Sequence, residues 1–264
     1  MDLKLKDKVV FVSGSTAGIG FATAHRFLQE GAQVIINGRT KESIDKAVEE
    51  LKSLTAGAGV SGIAADFSKA DDVNRLIGEL PEVDILINNA GIFEPKAFAD
   101  IPDEDWFRFF EVNVMSGIRL SRHYFPKMLK KNWGRIIFIS SESGVFIPDE
   151  MIHYGVTKTA QIAVSRGLAE LTKGTGVTVN SILPGPTKSK GVGGFIADLA
   201  KAGNKTTDEV EEDFFKNLRP TSLLQRFASV EEIADTVVYF SSPLASATNG
   251  ASIRVEGGLI RSII

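Results

Sequence analysis

The 264-residue chain is 43% hydrophobic, has a formal net charge of −3 and contains no cysteine. This is enough length and apolar content for one substantial core or two small ones. The lack of cysteine excludes disulfides, thiolate metal ligands and a cysteine nucleophile, and the charge argues against a broad basic surface for nucleic acid. His25, His123 and His153 stand far apart and offer no pair at metal-ligand spacing, so no metal is expected. Met1 to Lys8 lacks an apolar signal core, and no run approaches the roughly 18 residues of a membrane span. The expectation is a cytoplasmic protein.

Val9-Val10-Phe11-Val12 is a short apolar run rich in β-branched residues, as in a buried parallel strand. Ser13-Gly14-Ser15-Thr16-Ala17-Gly18-Ile19-Gly20 follows, and Phe21 to Glu30 then has helical spacing. A strand, a glycine-rich turn and a helix in that order suit a phosphate. Glycine lets the backbone approach closely, and the free N–H groups of the helix start favour negative charge. The spacing is Gly-x-x-x-Gly-x-Gly rather than the more familiar Gly-x-Gly-x-x-Gly. A dinucleotide is the leading ligand.

Val34-Ile35-Ile36 is a second strand, ending in Asn37-Gly38-Arg39, and Lys41 to Leu54 a helix. Val60 to Ala64, Val83 to Ile87, Arg135 to Ile139, Val177 to Ile182 and Ser252 to Val255 read as further strands. The intervening helices are Ala70 to Leu80, a long one from Asp103 to Lys131 broken near Ser116-Gly117, Met151 to Thr172, and Val230 to Phe240. Regular alternation predicts a single α/β domain over residues 1–264: a Rossmann-like doubly wound fold, its seven-stranded sheet mostly or wholly parallel, with helices on both faces. Thr187 to Phe227 interrupts the alternation and carries one short helix, Asp208 to Leu218. A connection this long suggests a substrate lid.

Open α/β sheets bind ligands at the carboxyl ends of their strands. Those ends carry Asp66, Asn88-Asn89-Ala90-Gly91, Ser140-Ser141 and Pro184-Gly185. Tyr154 and Lys158 lie one helical turn apart after the fifth strand. A phenol ionises near pH 10, too high for acid–base work at neutral pH, and a nearby ammonium would lower that value. His153 points about 100° away from Tyr154 and is set aside. Glu142 and Ser143 are either substrate contacts or loop, and Lys130-Lys131 reads as a solvated helix end.

From Lys8 to Gly258 this pattern resembles the short-chain dehydrogenase/reductase family. Ser13 replaces the family's leading threonine, Asn88-Asn89-Ala90-Gly91 and Tyr154-x-x-x-Lys158 match its motifs, and the serine thirteen residues before the tyrosine is Ser141. The resemblance implies hydride transfer between a nicotinamide cofactor and a carbonyl or alcohol. Tyr154 would be the proton carrier, and Ser141 would bond the substrate oxygen. Lys158 would lower the tyrosine pKa and hold the ribose, and Asn113 would position a water linking Lys158 to solvent. The cofactor would be held by Gly14, Ser15, Thr16, Gly18, Ile19, Gly20, Arg39, Asp66, Phe67, Asn89, Ala90, Gly91, Tyr154, Lys158, Pro184, Gly185, Thr187 and Ser189. Gly38 stands where NAD-specific relatives carry an aspartate and Arg39 follows it, so NADP is expected, with NAD possible. The family also implies a homotetramer packed through residues 117–131 and 151–172, with Ile162, Val164 and Leu168 either at that interface or in the core. The alternatives are a 3-oxoacyl-[acyl-carrier-protein] reductase and a non-catalytic nucleotide-sensing protein.

Overall fold

A computed structural model describes residues 1–203 and 205–263. Seven strands form one parallel sheet in the order β3-β2-β1-β4-β5-β6-β7. They are β1 (Val9–Val12), β2 (Gln33–Gly38), β3 (Val60–Ala64), β4 (Ile85–Asn88), β5 (Gly134–Ile139), β6 (Val177–Pro184) and β7 (Ser252–Val255). The order reverses between β1 and β4, where Phe11 pairs with Leu86. Such a switch point opens a crevice at the carboxyl edge.

Period-two alternation divides the strands between two apolar layers. Val10, Val12, Ile36, Ile85 and Ile137 face one layer, with α1 (Gly18–Gln29), α2 (Lys41–Leu54) and α9 (Val230–Phe240). Phe11, Leu86, Ile136 and Phe138 face the other, with α3 (Ala70–Glu79), α5 (Ser116–Lys131) and α6 (Ile152–Glu170). Val164 and Leu168 pack against this second layer, and Ile162 lies against Gly144. All three are only partly buried.

Some boundaries differ from expectation. β4 starts at Ile85, and Asp84 before it bonds both neighbouring strands through its backbone and pairs with Lys131 through its side chain. The long helix changes pitch earlier than expected, through a π-helical turn at Glu111–Met115 between α4 (Asp103–Phe110) and α5. The segment expected to be irregular contains α7 (Lys190–Gly203), then α8 (Thr207–Asp213), which runs on as a second π turn, Phe214–Leu218. Gly193 and Gly194 hide α7 in the sequence, yet Val192, Ile196 and Ala200 repeat at helical spacing. Ile196, Phe215 and Phe227 form a small core of their own. Asn204, within the expected lid, lies outside the described residues. Among the described residues, no helix is long and apolar enough to cross a membrane.

Candidate active site

The glycine turn is tied to the neighbouring strand ends. Gly14 and Gly18 have φ near +60°, a conformation that favours glycine. A Cβ on Gly20 would sit 2.5 Å from Asn89 Nδ2 and 2.6 Å from Gly14 O, so the close approach itself requires glycine. Ser13 Oγ accepts from the N–H groups of Asn89 (2.9 Å) and Ala90 (3.0 Å), while Asn89 Nδ2 donates to Ser13 O and Gly14 O. Asn37 Oδ1 receives the Gly14 N–H at 3.0 Å, and Asn37 Nδ2 donates to Ile63 O at 3.1 Å. Asn37 was not singled out from sequence, although a polar residue closing an apolar strand was the available sign. No side chain caps the start of α1, which leaves its N–H groups free for an anion.

Three residues expected at the cofactor turn into the protein instead. Ser15 Oγ donates to Val12 O at 2.6 Å and accepts from Asn37 N, and Ser15 N donates to Asn37 O. The Asn89 amide N–H groups serve the glycine turn, and Phe67 is 5% exposed within the second apolar layer. Their side chains build the cradle rather than line it. Thr16 and Arg39 stay accessible beside Gly38. A Cβ on Gly38 would lie 2.6 Å from Thr16 Cγ2 and 3.0 Å from Ser43 Oγ, so an acidic side chain there has no room without a shift. Burial pushes the Asp66 carboxyl up, but the N–H and hydroxyl of Ser68, with Lys69 and Arg39 nearby, hold it below the usual carboxylate range.

At the ends of β5 and β6 the remaining groups converge. Ser141 is buried in the turn after β5, and α6 packs directly on that turn. Ser140 Oγ donates to Lys158 O and Thr159 Oγ1 to Gly144 O, both at 2.8 Å. Tyr154 is half-buried and has Phe93 edge-on 6.4 Å away. Lys158 is 5% exposed, and its Nζ donates to Ile139 O (2.9 Å) and Gln161 Oε1 (3.1 Å). Gln161 Nε2 in turn donates to Asn113 O at 2.5 Å. Asn113 sits in the π turn, with its side-chain amide bonded to both backbone groups of Ile92 and to Thr157 Oγ1. Asn113 and Lys158 are therefore joined through the side-chain amide of Gln161. Gln161 was missed from sequence, although it lies one turn beyond Lys158 on the same face.

Burial sets the balance at Tyr154 and Lys158. Burial, and then the charge of Glu142, push the Tyr154 phenol far above its ordinary value, against the opposing pull of Ser141. Burial brings Lys158 down to about 8. The ammonium lies 5.5 Å from the centre of the tyrosine ring and is bonded elsewhere, so burial outweighs it. His153 is fully buried against Phe109 and Trp106, and burial holds it neutral, outside the site.

Pro184 ends β6 beside Val255, and a Cβ on Gly185 would meet the Glu256 Cα at 2.6 Å. Thr187 Oγ1 donates to Gly185 O at 2.8 Å. Ser189 Cβ lies 3.5 Å from the Cβ position of Gly18, so the loop after β6 closes over the glycine turn.

Comparison with known proteins agrees with this arrangement. A profile described as short chain dehydrogenase matches residues 8–199. The uncharacterized oxidoreductase YvrD of Bacillus subtilis (strain 168) is 54% identical over 267 residues, covering 100% of both chains. A 3-oxoacyl-[acyl-carrier-protein] reductase of Aquifex aeolicus is 32% identical, covering 98% of this chain and 100% of its own. The crystal structure of L-sorbose reductase from Gluconobacter frateurii, complexed with NADPH and L-sorbose, superposes with a TM-score of 0.93 at 28% identity, covering 100% of each chain.

Proposed function

The chain belongs to the short-chain dehydrogenase/reductase family and is an oxidoreductase; within that family we propose that it moves a hydride between NADP(H) and a carbonyl or secondary-alcohol substrate. The observation that carries this reading is the meeting of Ser141, Tyr154, Lys158 and Asn113 at the carboxyl edge of the sheet, next to the glycine turn. The nicotinamide cofactor, when bound, supplies or accepts the hydride. Tyr154 as phenol gives its proton to the carbonyl oxygen in reduction, and as phenolate takes the hydroxyl proton of the alcohol in oxidation. Ser141 hydrogen-bonds the same oxygen as negative charge gathers there. Lys158, held by Ile139 O and Gln161, would bond the nicotinamide ribose.

The cradle suits the cofactor. Gly14, Gly18, Ile19 and Gly20 would leave backbone N–H groups to the pyrophosphate, with Thr16 at the rim. Asp66, Ala90 and Gly91 would line the adenosine side, and Pro184, Gly185, Thr187 and Ser189 the nicotinamide side. Gly38 supplies no carboxylate for the ribose hydroxyls of NAD, and the exposed Arg39 beside it suits a 2′-phosphate. A charge-assisted hydrogen bond contributes roughly 1.5–3 kcal/mol, so about ten- to a hundredfold preference for NADPH is expected.

Exposed Phe93, Val145, Phe146 and Ile147 border Tyr154 and the catalytic turn, which favours a substrate with an apolar portion. A 3-oxoacyl substrate remains the second reading, supported by the Aquifex relative. Docking of an acidic carrier at Lys130-Lys131 is disfavoured, because Lys131 pairs with Asp84 at the opposite edge of the sheet. We further propose a cytoplasmic homotetramer, with the segment 187–227 acting as a lid over the substrate. A panel of ketones and alcohols, followed by absorbance of the reduced nicotinamide, tests the reaction. Binding of NADPH without turnover on any of them would favour the nucleotide-sensing alternative.

A further inference from the structure

The catalytic turn contains an acid that this reaction does not yet use. Glu142 directly follows Ser141, is 6% exposed, and is hydrogen-bonded through Oε2 to Ser141 Oγ. Tyr154 and Lys158 face it from α6, and Arg219 from the end of the second π turn. Arg219 itself donates to Glu150 Oε1 and to Leu218 O, both at 2.9 Å.

The protons at Ser141 can be counted. A serine hydroxyl donates once and accepts twice. The Ser143 N–H fills one acceptor position at 3.1 Å, and Glu142 is the other bonded neighbour. An ionised carboxylate only accepts. With Glu142 ionised, the Ser141 proton is committed to it, and the hydroxyl needed by a substrate oxygen points at a protein atom. With Glu142 protonated, its O–H and the Ser143 N–H fill both acceptor positions, and the Ser141 proton is free to point outward.

We propose that Glu142 is a positioning residue that works as a neutral carboxylic acid, donating to Ser141 Oγ and so aiming the Ser141 proton at the substrate oxygen. The proposal rests on the reading that Ser141 and Tyr154 hold that oxygen. The surroundings favour it: burial raises Glu142 above the usual carboxylate range against the opposing pull of Ser141, Arg219 and Ser143. A neutral Glu142 also removes the charge that adds to burial in raising Tyr154. The competent form exists below the ionisation of Glu142 and is lost as pH rises through it.

Glu142→Gln provides the test, since its amide N–H can donate to Ser141 at every pH. In infrared spectra at neutral pH, wild type minus E142Q should show the carbonyl stretch of a buried protonated carboxyl. Ketone reduction with NADPH should lose kcat/KM in wild type by about tenfold per pH unit above the Glu142 ionisation. E142Q should keep neutral-pH activity within several-fold and move that fall up to the pH set by Lys158. In S141A, the residual activity should lack the Glu142 limb. The proposal is overturned if the infrared band is absent, if the E142Q profile superimposes on wild type, or if E142Q loses activity at every pH while still binding NADPH. A wild type inactive on every ketone would remove the proposed reaction instead, and the infrared band would still report whether Glu142 carries a proton.

Discussion

In the proposed reading, Gly38 and Arg39 at the end of β2 set the choice of cofactor. Arg39→Ala should lower the ratio of kcat/KM with NADPH to that with NADH by about ten- to a hundredfold, and an unchanged ratio would show that Arg39 only faces solvent. Gly38→Asp alone should weaken both cofactors, because its Cβ would lie 2.6 Å from Thr16 Cγ2. Gly38→Asp combined with Thr16→Ala removes that methyl and should shift the ratio toward NADH; steady-state kinetics of the two variants checks both points. At this scale the sequence was most legible where chemistry needs a fixed residue type at fixed spacing. Tyr154, Lys158, Ser141 and Asn113 stand out through the family resemblance, and they lie near one another at the carboxyl edge of the sheet. It was least legible where a polar side chain could face either way. Nothing in the spacing of Ser15 and Asn89 reveals that both bond the glycine turn from within, and Phe67 differs from a ligand contact only by its packing.

Helix α9 is held at its start by a capping box. Ser229 Oγ accepts from Glu232 N, and the Glu232 carboxylate accepts from Ser229 N and from Arg226. Ser229→Ala should lower stability by about 1 kcal/mol, seen as a fall in Tm of about 2–4 °C. The Arg226 guanidinium, with the Ser229 N–H, depresses the Glu232 carboxyl to about 2. Because its folded-state value is the lower one, its stabilisation is present above the ordinary ionisation near 4.5 and is lost as pH falls toward about 2. Glu232→Gln should therefore lower Tm at neutral pH, and the difference from wild type should close in acid. The strand–helix alternation was readable because buried parallel strands are almost wholly apolar, but α7 was not. Its glycines weaken the helical signal, and the stripe of Val192, Ile196 and Ala200 gains meaning only once Phe215 and Phe227 are placed against Ile196. Likewise, the π turn bearing Asn113 has no local marker in Glu111–Met115. If residues 187–218 form a lid, limited proteolysis should cut there first and saturating NADPH should slow the cut; cleavage elsewhere, or no protection, would contradict it.

For the whole molecule, the crevice between β1 and β4 joins both halves of the sheet. The glycine turn, the end of β4 and the loop after β6 close on one another there, while Ser141 and α6 supply the reacting groups. Phe98, Phe107 and Phe110 are exposed around α4, with Phe107 at 73%. Sedimentation at micromolar concentration should give a tetramer, and a monomer would contradict the proposed assembly. The central claim is that this crevice carries out hydride transfer with Tyr154 as the proton donor. The most direct measurement is NADPH oxidation with an accepted ketone by wild type and Tyr154→Phe, with cofactor binding followed by nicotinamide fluorescence. Turnover should fall by orders of magnitude in the variant while NADPH still binds; equal turnover, or loss of cofactor binding together with activity, would contradict it.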